Sequence, residues 1–117
     1  MGLFNRVKFP KPLTCPNCGV TGTWTAQFWF GATDLIDYEV GQHLNWEYRW
    51  AVAGEPGHHR VLAQGVLEGC RHCGTYDFGG SLWEMVVIEI VDDVIVSVVQ
   101  DTSGDGWWAE DWRVLEA

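Results

Sequence analysis

The residues with the most definite chemistry are four cysteines in two pairs, Cys15-Pro16-Asn17-Cys18 and Cys70-Arg71-His72-Cys73, each followed by a glycine, Gly19 and Gly74. No other cysteine is present. Two residues between a pair of thiols let both sulfurs reach one ion from a tight turn. A glycine after the second thiol can adopt the left-handed backbone that turns N–H groups toward the sulfurs. Together the pairs supply four thiolates, the ligand set of a tetrahedral zinc site with no position left for water or substrate. The spacing therefore predicts one structural Zn2+ per chain, held by Cys15, Cys18, Cys70 and Cys73. Two alternatives share these residues: iron in a tetrahedral sulfur site, and disulfide or redox use of the pairs. A redox pair normally opens a helix in a βαβ unit, whereas both pairs here adjoin strand patterns.

Other motifs carry less. His58-His59 follows a Gly54-Glu55-Pro56-Gly57 turn, with His43 and His72 elsewhere, and paired histidines suit acid–base work or a second metal. No carboxylate or nucleophile stands at a matching local spacing, so an exposed turn is expected, with His72 pointing away from the ion. Asp101-Thr102-Ser103-Gly104-Asp105-Gly106 resembles the opening of a calcium loop, but position 12 is Trp112 where a bidentate glutamate is required. An acidic connecting loop is the expectation there. The chain contains no Ser-His-Asp spacing, phosphate-cradling glycine loop or H-E-x-x-H motif, so no enzyme is expected.

Aromatic residues and charge point elsewhere. Eight tryptophans occur in 117 residues, and Trp107, Trp108 and Trp112 cluster beside Glu110 and Asp111. Tryptophan dominates interface hot spots, and aromatics among acids suit a basic or amphipathic protein surface. Packing of a C-terminal element over the core is the competing reading. Sixteen acids against seven bases give −9, with an isoelectric point near 4.6. Four thiolates and one Zn2+ would add −4 and +2, moving this to −11. Such a field repels nucleic acid and anionic membranes. The basic stretch Arg6, Lys8, Lys11, with Phe4 and Phe9, is the one feature that favours nucleic acid. Against it, residues 84–117 hold nine acids and one base, Arg113.

These residues must be positioned by a core, and 117 residues with 47% hydrophobic content can build one in a single domain. A chain of this length buries roughly 65% of the surface its unfolded form exposes. Residues 1–14 read as an extended N-terminal arm, since Phe9-Pro10-Lys11-Pro12 resists helix. From Thr23 to Phe30, Trp24, Ala26, Phe28 and Phe30 alternate with polar residues. Leu44, Trp46, Tyr48, Trp50 and Val52 alternate likewise, as in a half-buried antiparallel strand. Arg60 to Glu68 continues as a strand. Leu82–Val91 and Val94–Gln100 flank Asp92-Asp93, which predicts a tight hairpin. Apolar residues on both faces place that hairpin centrally in the sheet. In the tail, Trp108, Trp112 and Leu115 form a helical stripe, while Trp108, Trp112 and Val114 also suit a strand. The expectation is a short C-terminal helix on a mainly β, antiparallel fold.

Cys15-Pro16-Asn17-Cys18-Gly19 and Cys70-Arg71-His72-Cys73-Gly74 resemble the knuckles of the zinc-ribbon superfamily, in which β-hairpins carry two C-x-x-C-G units around one zinc. The resemblance covers those ten residues and the strands leaving them. It implies a structural four-cysteine zinc site, and many zinc ribbons bind nucleic acid. One departure is the 51 residues between Cys18 and Cys70, against about 15–20 in the simplest pattern. The ribbon must then be embedded in a larger sheet. A Met1-Gly2-Leu3-Phe4 opening before a Cys-Pro-x-Cys-Gly knuckle also looks like small bacterial and phage zinc-ribbon proteins.

The expected function is a protein-binding or adaptor module, with Trp107, Trp108, Glu110, Asp111 and Trp112 as contact residues and self-association through the aromatic patch as a further outcome. The alternatives are an acidic inhibitor of a basic nucleic-acid enzyme, of the immunity or phage-antagonist type, and a nucleic-acid-binding zinc ribbon. No leader or membrane-spanning stretch is visible, and reduced thiols suit the cytoplasm, so a cytoplasmic protein without a membrane partner is expected.

Overall fold

In a computed structural model, which describes residues 4–47, 51–75, 82–101 and 111–117, the chain is mainly β. Among the described residues there is no helix, and so none long and apolar enough to cross a membrane. Six strands form the main path of one sheet: β10 (Val94–Gln100), β9 (Met85–Val91), β8 (Arg60–Leu67), β4 (Thr25–Phe28), β1 (Asn5–Lys8) and β6 (Asp37–Tyr38). All neighbours are antiparallel except β1 and β6, which run parallel. A seventh strand, β11 (Trp112–Glu116), pairs with β8. Two small ladders stand apart, β2 (Leu13–Thr14) with β3 (Thr21–Gly22), and β5 (Gly31–Ala32) with β7 (Val52–Ala53).

Alternation dictates which face is buried. On β8, Val61, Ala63, Gly65 and Leu67 turn to the core, and on β9 Val86, Ile88 and Ile90 do the same. The expected face of Trp24, Ala26, Phe28 and Phe30 is buried throughout. Gly65 lies where β4 and β9 both close on β8, opposite Phe28 and Val86. A Cβ there would lie 2.8 Å from the Gln27 carbonyl oxygen and 2.9 Å from Val86 Cγ2, so glycine is what lets the three strands meet.

The hairpin at Asp92-Asp93 forms as expected. Both turn residues have positive φ, 50° and 65°, as a type I′ turn requires. It is not central, however. β10 ends the strand path, and Val96 and Val99 are exposed there. Apolar residues on both faces do not decide position, because part of this edge is covered by a loop. Gly41 donates to Ile95, Ile95 to Gln42 and Leu44 to Asp93, at 2.7, 3.0 and 2.8 Å.

Three further expectations change. Residues 112–116 form a strand rather than a helix. β4 occupies only Gly65–Leu67 on one edge of β8, and β11 fills the remainder, pairing Trp112 with Ala63 and Val114 with Val61. The demand for backbone partners along that edge outweighs the helical stripe. The N-terminal segment is extended but is no free arm, since β1 lies between β4 and β6 with Val7 and Phe9 buried. Finally, residues 44–47 keep the alternating burial of Leu44 and Trp46 without forming a ladder. Asn45 instead donates its N–H to the Tyr38 hydroxyl and accepts from Ala32. Tyr48 and Trp50 lie outside the described residues.

Candidate metal centre

The first knuckle is the loop of the β2–β3 hairpin. Leu13 pairs with Gly22 and Thr14 with Thr21, whose hydroxyls lie 2.6 Å apart. Inside the loop, the Cys15 N–H donates to the Val20 carbonyl at 3.0 Å, and the Gly19 N–H returns to the Cys15 carbonyl at 2.9 Å. The second knuckle repeats this plan, with Cys70 donating to Thr75 at 2.8 Å and Gly74 to Cys70 at 2.9 Å. Gly19 and Gly74 have φ of 77° and 75°, the left-handed region in which glycine alone is unstrained. Two C-x-x-C-G sequences thus fold into two copies of one turn.

Pairing of β4 with β8 closes the 51-residue gap. Ala26 lies opposite Leu67, and the Glu68 N–H donates to the Thr25 carbonyl at 2.8 Å. The segment leaving the first knuckle therefore runs beside the segment entering the second. Trp24 wedges the junction. Its Nε1 donates to the Leu13 carbonyl at 3.2 Å, and its ring meets Trp83 edge-on at 4.9 Å. Arg6 adds a polar tie, with Nε and Nη2 donating to the two Glu68 oxygens at 2.9 and 2.8 Å.

The result is a cluster of four sulfurs, all within 4.8 Å of one another. Cys15 Sγ lies 3.9 Å from Cys73 Sγ, and Cys18 Sγ lies 3.7 Å from Cys70 Sγ. A tetrahedron with Zn–S bonds of about 2.3 Å has edges of about 3.8 Å. The donor set therefore fits a tetrahedral ion, and the four cysteines form no disulfide. Cys15 and Cys70 are buried, whereas Cys18 and Cys73 face outward. His72 is outside the cluster, as expected, though its backbone N–H reaches Cys70 Sγ at 3.4 Å.

Polar groups around the sulfurs bias two of them toward the thiolate. Asn17 of the first knuckle donates its Nδ2 to Cys73 of the second at 3.5 Å. That bond, with the Thr75 N–H, outweighs burial and holds Cys73 down at about 6. The N–H groups of Cys73 and His72 lower Cys70 likewise. At Cys18 the Val20 N–H acts downward, but burial and the neighbouring thiols push it up to about 11. Crowded thiols cannot all ionise without a cation among them, and a thiolate-binding metal ion would supply it.

Trp107, Trp108 and Glu110 lie outside the described residues, as do residues 102–106 of the acidic loop. Asp111 is exposed, and its carbonyl accepts from Gln64 at 2.9 Å. Trp112 is half-buried against Phe30, ring centroids 5.8 Å apart, so its ring belongs partly to the core. Arg6 and Lys8 carry acidic partners, Glu68 and Asp37 for Arg6 and Glu39 for Lys8, and Phe9 is buried.

Both histidines of the His58-His59 pair have carboxylate partners, and one of these, Glu55, stands only three residues before His58, contrary to the expectation of no carboxylate at a matching local spacing. His58 Nε2 lies 2.9 Å from Glu55 Oε1. His59 sits between Asp92 Oδ1 at 2.9 Å and Glu116 Oε2 at 3.5 Å, which raises its pKa through the Asp92 hydrogen bond first. Asp92 and Glu116 reach His59 only through the β8–β9 and β8–β11 ladders, so no local spacing could reveal them. Compared with protein-family models, curated proteins and solved structures, the chain matches none.

Proposed function

We propose that the metal is one structural Zn2+ and that the β domain it clamps is a protein-binding module of the zinc-ribbon kind. The observation carrying the first part is the set of four sulfurs at tetrahedral spacing, which leaves no ligand position for substrate. A closed site ties the two knuckles together and leaves function to the surface.

The second part rests on charge and aromatic content. A chain of −9 attracts basic or amphipathic proteins, and Trp107, Trp108, Glu110 and Asp111 combine the residue types that anchor such contacts. Trp112, the last of these tryptophans, is half-buried against Phe30. Self-association through the same aromatics follows from the same reading. Double charge reversal, Glu110→Lys with Asp111→Lys, is expected to weaken capture of a basic partner at least about tenfold. Partner recovery by zinc-loaded wild-type and variant protein, measured side by side, tests this, and equal recovery would remove the assignment.

The net charge also favours an acidic inhibitor that occupies the polyanion site of a basic nucleic-acid enzyme. Nucleic-acid binding by the ribbon itself is the weaker reading, because the net charge is −9 and Arg6 is engaged by Glu68 and Asp37. Absence of DNA or RNA retardation at low salt is the expected outcome.

A further inference from the structure

A second concavity lies beside the knuckles. It holds about 390 Å³, within the range of small-ligand sites. Arg6 and Lys8 of β1 form part of its wall, with Thr23 just before β4, Thr25 at its start, and Arg71 from the second knuckle. Three of the chain's seven basic residues thus converge on one cleft of a protein whose net charge is −9. Asp37 and Glu39 stand on the same wall, so the lining carries three cations and two anions.

The three cations are differently committed. Arg6 is held by Glu68 and Asp37, which makes it a fixed part of the wall. Lys8 meets Glu39 only at 3.7 Å, and both side chains are more than half exposed. A pair of that kind contributes little and exchanges readily. Arg71 has no carboxylate within ion-pair distance among the described residues. Its charge instead acts through space on Glu68. A guanidinium with no carboxylate partner among the described residues, an exchangeable ammonium and two threonines therefore line one space.

We propose that this cleft binds a small phosphate-type oxyanion, with Arg71 and Lys8 supplying the charge and Thr23 and Thr25 the hydroxyl donors. A tetrahedral anion presents several oxygens at once and suits donors converging from separate elements, and guanidinium engages it with two parallel N–H bonds. Arg71 stands directly after Cys70, so the metal clamp also orients this donor. Asp37 and Glu39 oppose the anion, and the chain's own negative field weakens its approach, so an affinity in the millimolar range is expected. The site does not depend on the protein-binding reading, because none of its residues is among Trp107, Trp108, Glu110, Asp111 and Trp112.

The test is a titration of zinc-loaded protein with inorganic phosphate, followed by backbone and arginine side-chain NMR shifts at constant ionic strength. Saturable shifts at Arg71, Lys8, Thr23 and Thr25 below about 20 mM phosphate are expected. Arg71→Ala, an exposed position, should weaken binding about tenfold. Glu39→Gln should strengthen it about two- to threefold by removing an opposing charge. Acetate should bind more weakly than phosphate. Absence of saturable shifts, unchanged binding in Arg71→Ala, or acetate binding as well as phosphate would each overturn the proposal.

Discussion

Glu68 shows how one side chain joins the sheet to the metal centre. It stands two residues before Cys70, accepts both prongs of the Arg6 guanidinium, and takes a third hydrogen bond from Gln27 Nε2 at 3.1 Å. Burial acts to raise its pKa, but these bonds and the charges of Arg6 and Arg71 prevail and hold it below the usual carboxylate range. A carboxyl depressed in this way contributes stability above its unfolded pKa of about 4.3, lost as pH falls through its folded value. Glu68→Gln keeps the shape while removing the charge, and should cost about 1–2 kcal/mol at neutral pH. Denaturant unfolding at pH 7 and at pH 3 measures this. The difference between variant and wild type should shrink at the lower pH, and an undiminished difference would contradict the assignment. Asn5 belongs to the same scale. It is fully buried, donates to the Phe30 carbonyl and accepts from the N–H groups of Asp34 and Ile36. Nothing in the local sequence marked it, because its partners come from about thirty residues away.

Among the elements, β11 depends most on contacts remote in sequence. Its residues beyond Trp112 are exposed, and it is secured by the ladder to β8, the Trp112–Phe30 contact and the His59–Glu116 pair. His59 faces Asp92, Glu116 and Arg60. Its hydrogen bond to Asp92, then the charges of Asp92 and Glu116, outweigh partial burial and Arg60 and raise its pKa. A raised histidine contributes stability that is fully present below its unfolded pKa of about 6.5 and is lost as pH rises through the folded value. The His59 contribution to the melting temperature should therefore fall across that window, so the gap between wild type and His59→Asn should narrow as pH rises. A variant with the same pH profile as wild type would show that the histidine does not secure the strand. The strand itself illustrates what periodicity can and cannot reveal. The alternation of Trp24, Ala26, Phe28 and Phe30 was legible because each residue reports its own burial. Whether residues 112–116 become helix or strand depends on an edge of β8 left open by the shortness of β4, which is a property of the assembled sheet.

At the scale of the molecule, sequence spacing alone marked the four cysteines that cluster and the glycines of their turns. It also implied that strands between the knuckles must belong to a larger sheet. It did not reveal that β4–β8 pairing brings the knuckles together, that β1 is an interior strand of the main path, or that the Asp92-Asp93 hairpin ends at a sheet edge. Those facts depend on strand order, which the local pattern of a strand does not carry. One zinc is proposed to close this arrangement by joining two knuckles separated by 51 residues. Elemental analysis of the purified full-length protein, in parallel with a Cys18→Ser, Cys73→Ser variant, tests it most directly. Zinc near one equivalent per wild-type chain is expected, with loss of the metal and a lower melting temperature in the variant. Wild-type protein containing iron in place of zinc, or folding with equal stability and no metal, would contradict it.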